Sequence, residues 1–312
     1  MAIHIQSPFE WGWDRLKASV SGLGSTRPDE YWPQANLHPG VPVVRRIGVA
    51  DLRVALARGF DDFGANRDDV IFLCVIYPVI GLVLGRLAFG YGMLPLLFPL
   101  AAGFTLVGPL AAIGLNEMSR RREQDGHVTW MDAFGVLHSP SLAAIAQLGA
   151  LLLAIFAVWL VVADSIYNVT LGPEPPISIS AFARDVLTTE AGWVLIGAGI
   201  GVGFLFAVAV LAISVVSFPL LLDSPVSAAT ALRTSLRVVL ANPGTMAIWG
   251  LIIAGGLVIG SVPFFIGLVI VFPVLGHATW HLYRRVVPRC PASHPIQRPW
   301  HINRGDRPAG ER

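Results

Sequence analysis

The chain has 312 residues, 54% of them hydrophobic and 13% charged, with a net charge of +2. An ordinary soluble domain carries about a quarter charged residues, so this is the composition of a membrane protein. Lys17 is the only lysine, and the apolar segments leave no room for the dense basic face that nucleic-acid binding requires.

Residues 1–44 read as a partly disordered tail with a few docking aromatics, Trp11, Trp13, Tyr31 and Trp32. Charges, prolines and glycines are scattered through it, so it lacks the basic start and apolar stretch of an export signal and is expected to stay in the cytoplasm. Beyond it, five apolar runs are long enough to cross about 30 Å of hydrocarbon. They are Val70 to Phe89, Leu94 to Asn116, Ser141 to Ala163, Gly192 to Leu222 and Thr245 to Tyr283. As one helix the last would be about 60 Å long, twice the membrane, and Pro263 sits near its middle. A hairpin there makes six spans over residues 45–287, an all-α, polytopic transmembrane helix bundle. Residues 288–312 read as a second disordered cytoplasmic tail.

Arginine placement orients the bundle, because loops retained in the cytoplasm are enriched in Lys and Arg. Arg53, Arg58 and Arg67, then Arg120 to Arg122, then Arg233 and Arg237, then Arg284, Arg285 and Arg289 fall on one side. Both termini are therefore expected in the cytoplasm. The opposite loop, Asp164 to Glu190, contains "GPEPP" and is poor in basic residues. The chain also repeats itself. "ADLRVALARGFDDFGANRDDVIFLCVIY", "VTWMDAFGVLHSPSLAAIAQLGALLLAI" and "VSAATALRTSLRVVLANPGTMAIWGLII" each run from an amphipathic stretch through a short breaker into an apolar span. The partner segments "LVGPLAAIG", "VVSFPLLLD" and "VIVFPVLGH" place Pro109, Pro219 and Pro273 at equivalent positions. This predicts three units of amphipathic surface helix plus transmembrane hairpin, with the prolines as shared kinks whose freed carbonyls find partners within a packed bundle. Hinges lining a transport site are the other reading of the same prolines.

Gly197, Gly199, Gly201 and Gly203 look like a dinucleotide loop, but Val202 stands where the third glycine belongs and no strand precedes them. Their spacing fits small-xxx-small helix packing, which Gly81 to Gly85 and Gly256 to Gly260 echo. Ionisable residues Arg86, Glu117, Asp164, Asp223 and His277 fall toward span ends, so the deep charges of pumps and ion filters are missing. Soluble-enzyme motifs are absent as well, and Cys74 and Cys290 are two unrelated thiols. Glu117 and His281 each fall eight residues after a repeat proline and are candidates to meet at the bundle's mouth. His277 and His281 lie four apart on one helix face and are a candidate metal pair without a third ligand. With Trp280, Tyr283, Arg284 and Arg285 beside them, they read instead as an aromatic belt and cytoplasmic anchor. No metal or cofactor site is assigned.

Through "DDVIFLCVIYPVIGLVLGRLAFGYGMLPLLFPLAAGF", "EMSRRRE", "SFPLLLD" and "VLGHATWHLYRR", residues 45–287 resemble the bacterial integral membrane family called domain of unknown function 2189. The resemblance implies a multi-pass protein of the bacterial inner membrane and brings no established activity. A loose link of such proteins to cytochrome oxidase does not extend to catalysis here, since a haem-copper subunit needs histidines on several spans. The chain is expected to be no enzyme but a scaffold or accessory subunit, embedded in the lipid bilayer with other membrane proteins or its own copies as partners. A small-molecule or lipid transporter is the alternative, and an oxidase accessory protein a second.

Overall fold

The computed structural model describes residues 42–65, 79, 83, 86, 94–126, 128–174, 176–262 and 266–288. Their regular secondary structure is all helix, with no strand among them. In chain order the helices are α1 (Val49–Ala65), α2 (Leu97–Ala111), α3 (Ile113–Asp125), α4 (Leu142–Thr170), α5 (Ile179–Thr188), α6 (Glu190–Ser214), α7 (Ser217–Asp223), α8 (Ala228–Ala241), α9 (Pro243–Ser261) and α10 (Leu268–Val286). A 3-10 segment, Trp130–His138, joins α3 to α4. The first predicted span, Val70 to Phe89, lies outside the described residues apart from positions 79, 83 and 86, as do residues 1–41 and 289–312.

Among the described residues, three segments are long and apolar enough to cross a membrane: Leu142–Thr170, Glu190–Asp223 and Pro243–Ser261. Their outer faces carry apolar side chains in the open, such as Val161 at 67% exposure and Ile259 at 71%. For a long helix that pattern marks contact with hydrocarbon rather than water. α4 is 29 residues long, about 43 Å at about 1.5 Å per residue, and so outruns the bilayer core.

Local chemistry sets the helix ends. The Ser178 Oγ accepts the Ala181 N–H at the start of α5, Thr189 does the same for Gly192 at the start of α6, and Ser227 for Thr230 at the start of α8. α9 opens with Pro243 at its first position, where the missing N–H costs nothing. α3 closes on Gly126, whose φ of +79° is the left-handed cap that glycine tolerates best. Four sequence boundaries move as a result. "SRRRE" is helical within α3 rather than a loop, and α4 runs past Ala163 to Thr170. The loop predicted over Asp164 to Glu190 holds the end of α4 and the whole of α5. The second amphipathic stretch is a 3-10 segment, begun by a Thr129–Asp132 capping box.

The three prolines produce three different results. α10 runs unbroken through Pro273, and the α2–α3 discontinuity at Ala112 follows Pro109. Before Pro219 the chain breaks at Val215 and Val216. There Ser214 and Ser217 turn their hydroxyls onto the carbonyls of Val210 and Ile213, and the freed N–H of Val216 finds the Ser235 Oγ on α8 at 3.4 Å. A hydroxyl thus covers the broken helix, as a non-aqueous setting demands.

Thr245 to Tyr283 is indeed two helices, α9 and α10, although Pro263 itself lies outside the described residues. They approach through glycine: a Cβ on Gly260 would lie 2.8 Å from the Leu268 side chain, and one on Gly256 would lie 3.1 Å from Val271. The other face of α10 receives α1. At the crossing a Cβ on Gly59 would sit 2.7 Å from the Ala278 Cβ and 2.8 Å from the Val274 carbonyl oxygen. The residues leading into α1 are sewn down as well. Buried Asn242 accepts the Ile47 N–H at 2.8 Å and donates to the Arg45 carbonyl, and the Arg45 N–H reaches the Val286 carbonyl at 2.8 Å. Replacing Gly59 with leucine is therefore expected to destabilise the protein by about 1–3 kcal/mol, the usual cost of overpacking a filled contact. Thermal unfolding in mild detergent checks this, and an unchanged midpoint would refute the close crossing.

Candidate functional site

Along α1 the buried positions are Leu52, Ala55, Gly59 and Asp62, spaced three and four residues apart. Asp62 thus stands on the apolar stripe that faces α10, and a carboxylate there must be paired to be tolerated. It is paired three times over. The Ser119 hydroxyl donates to Oδ2 at 2.6 Å, His281 Nε2 donates to the same oxygen at 2.8 Å, and Arg122 donates to Oδ1 at 2.6 Å. Ser119 and Arg122 lie three apart on α3, and His281 is on α10, so one carboxylate joins three helices.

His277 completes the set. Its Nδ1 lies 2.8 Å from the Ser119 oxygen. Since Ser119 spends its only proton on Asp62, the imidazole must donate, so the proton sits on Nδ1 and the lone pair on Nε2. That Nε2 is buried and has no hydrogen-bond partner among the described residues. The order serine to aspartate, with histidine donating to serine, is the reverse of a nucleophilic triad, in which the histidine must accept the serine proton. The arrangement holds Ser119 rather than activating it.

Further pairs extend the layer across the same end of the bundle. Glu117, fully buried, receives Arg120 at 2.7 Å and Arg121 at 2.8 Å, and Arg121 continues to Asp132 of the 3-10 segment at 2.5 Å. Gly135 leaves the space that the Arg121 guanidinium occupies, since a Cβ there would overlap it. Arg284 reaches Glu123 at 2.9 Å, Tyr283 donates to Asp223 at 2.8 Å, and Arg285 reaches Asp51 at 3.1 Å. Each joins a different pair of elements: α10 to α3, α10 to α7 and α10 to α1.

The sequence candidates fare unequally. His277 and His281 do share a face and serve one cluster, but each ring nitrogen that bonds has its own partner, so the pair does not converge on a common point. No group of three or more histidine, cysteine, aspartate or glutamate side chains suited to a metal ion occurs among the described residues. Glu117 and His281 do not meet: the first is taken by Arg120 and Arg121, the second by Asp62. Pro219 and Pro273 are buried in side-chain packing, and Pro109 is half-buried. Of the four clustered glycines only Gly203 makes a close approach, to the Trp159 ring. A Cβ on Gly197, Gly199 or Gly201 would meet nothing within 4 Å. Asp62 and Ser119 were missed, although a charged residue on the buried stripe of α1 was a visible signal.

A layer of paired charge closing one end of a bundle whose long helices expose hydrocarbon-like surface defines a helical integral membrane protein. Residues 97–223 match the family model described as "Predicted integral membrane protein (DUF2189)", where the sequence resemblance had extended over 45–287. The match contains Glu117, Ser119 and Arg122 but neither Asp62 nor the two histidines. No curated protein and no solved structure matches the chain.

Asp62 makes the layer sensitive to acid. Burial alone would raise its pKa, but the hydrogen bonds from His281 and Ser119 and the nearby imidazoles outweigh burial and hold it below the ordinary 3.8. The unfolded chain therefore takes up the proton first, and stability falls with pH in that region. The contribution is complete above about pH 4 and is lost as pH drops through the depressed value. Asp62→Ala should cost about 3 kcal/mol at neutral pH, towards the lower end for a broken buried pair because Arg122 keeps 29% of its side chain exposed. Thermal unfolding from neutral to acid pH checks both points. The wild type should lose more stability in acid than Asp62→Ala does, and parallel profiles would contradict the assignment.

Proposed function

We propose that the chain is a non-catalytic scaffold or accessory subunit of a bacterial inner-membrane complex. In this reading it crosses the membrane six times as three repeated units, α1, the 3-10 segment and α8 being the amphipathic members, with both termini in the cytoplasm. The supporting observation is a contrast at one end of the bundle. Its two buried carboxylates are spent on neighbouring side chains, Asp62 on Ser119, His281 and Arg122 and Glu117 on Arg120 and Arg121, while its amphipathic members turn apolar side chains outward. Met131 is 66% exposed and Leu240 79%. Arg233 and Arg237 on α8 accompany Leu240, the mixture that suits an interfacial helix or a neighbouring subunit. Reactions need groups left available, whereas assembly needs a rigid body with an adhesive rim. The transport reading has less behind it, because Pro219 and Pro273 are packed into the core instead of lining an open cleft.

The rim can be interrogated in living cells with a photo-crosslinking amino acid at position 131 or 240. Discrete adducts to a second polypeptide, either another protein or another copy of the chain, are expected at both positions. Adducts to lipid alone at both would sink the scaffold reading.

A further inference from the structure

At the other end of the bundle α5 lies across the tops of α4 and α6. Its residues Ile179, Phe182 and Val186, three and four apart, turn one face inward, and Arg184 and Asp185 sit outside that face. Beneath that face is a cavity of about 380 Å³, within the range of about 300–1,000 Å³ typical of ligand pockets. Its walls are Pro99 of α2, Trp159 and Tyr167 of α4, Phe182 of α5, and Ile196 and Gly199 of α6. Among the described residues no charged side chain lines it. The two polar atoms its aromatic walls carry are already engaged: the Trp159 indole N–H donates to the Pro99 carbonyl at 3.0 Å and the Tyr167 hydroxyl to the Glu174 carbonyl at 2.8 Å. Neither of these donors is left for a polar ligand, and water would be poorly held.

We propose that this cavity takes one acyl chain of a bilayer phospholipid, inserted under α5. Three features of the cavity select that occupant. Its floor is cut by residues 196–200 of α6, about 9–15 Å along the helix from its start at Glu190 and so within the apolar part of a spanning segment. Ile200 belongs both to the cavity wall and to the outer surface, where it is 61% exposed, and Phe204, one turn on, is 63% exposed. The cavity is thus continuous with the face that meets lipid. Finally, Gly199 contributes room: a Cβ there would meet no atom within 4 Å, so the missing side chain leaves space that a flexible hydrocarbon chain fills. The small residue once assigned to helix packing becomes the entrance to a lipid site. The inference goes beyond the scaffold reading and depends only on the chain lying in a bilayer.

The test uses the full chain in vesicles of phosphatidylethanolamine and phosphatidylglycerol doped with a phospholipid bearing a diazirine on its acyl chain. After irradiation, adducts are mapped by mass spectrometry. In the wild type they are expected on Trp159, Tyr167, Phe182 and Ile196 as well as on outward-facing Val161 and Phe204. In Gly199→Phe the new ring occupies the cavity without a backbone clash, so adducts inside it should be lost while those on Val161 and Phe204 remain. Gly197→Phe, on an exposed position outside the cavity, should keep both sets. Because the wild-type map is a readout by itself, poor folding of a variant does not remove the test. Wild-type labelling confined to Val161 and Phe204, as when another segment of the chain fills the space, overturns the proposal. So does labelling of the cavity walls that Gly199→Phe leaves unchanged.

Discussion

The carboxylate of Asp62 is the point at which α1, α3 and α10 become one body. A buried charge left alone would cost several kcal/mol, and this one is surrounded by a hydroxyl, an imidazole and a guanidinium from two other helices. Turning or sliding any of the three helices would part a donor from the carboxylate, so the network favours one rotation and register where hydrophobic contact alone would leave several choices. Gly59, one turn earlier, works with it: contact between helix backbones brings Asp62 within reach of both Ser119 and His281. The Asn242 and Arg45 contacts then hold the chain entering α1 against the junction of α8 with α9 and the end of α10.

The hydrocarbon around the long helices imposes the second constraint. Wherever the backbone ladder breaks, a partner must come from the protein, and the Val215–Val216 break shows how serines provide it. The two ends of the bundle have diverged under this rule. One is closed by paired charge and carries α1, the 3-10 segment and α8. The other ends in α5, an amphipathic helix with no buried residue of its own, set over an apolar cavity.

Much of this was legible beforehand, for identifiable reasons. α4, α6 and α9 announce themselves because hydropathy over about 20 residues integrates many weak preferences into one signal. The split of Thr245 to Tyr283 followed from its length and from Pro263 near its middle. Helix ends were less visible: "DSIYNVT" continues α4 although it is polar, because helix propagation does not require an apolar sequence once begun. α5 was hidden by the prolines and glycine before it, and its identity rests on the Ser178 cap and a ten-residue moment too short to stand out. At the site, the shared face of His277 and His281 was a local fact and held, whereas their partners Ser119 and Asp62 lie 158 and 219 residues away along the chain. Spacing cannot supply such long-range pairs. The glycines of α6 show the converse: a packing motif specifies that close approach is possible, not that a neighbour is there.

The central claim, that Asp62 and the helices around it act as one unit, is tested most directly by a double-mutant cycle on Asp62 and His281. Unfolding free energies of Asp62→Asn, His281→Gln and the double variant, measured in the same detergent, give their interaction energy. A coupling of about 1 kcal/mol or more is predicted for two side chains sharing a buried hydrogen bond. Strict additivity of the two substitutions would contradict the account.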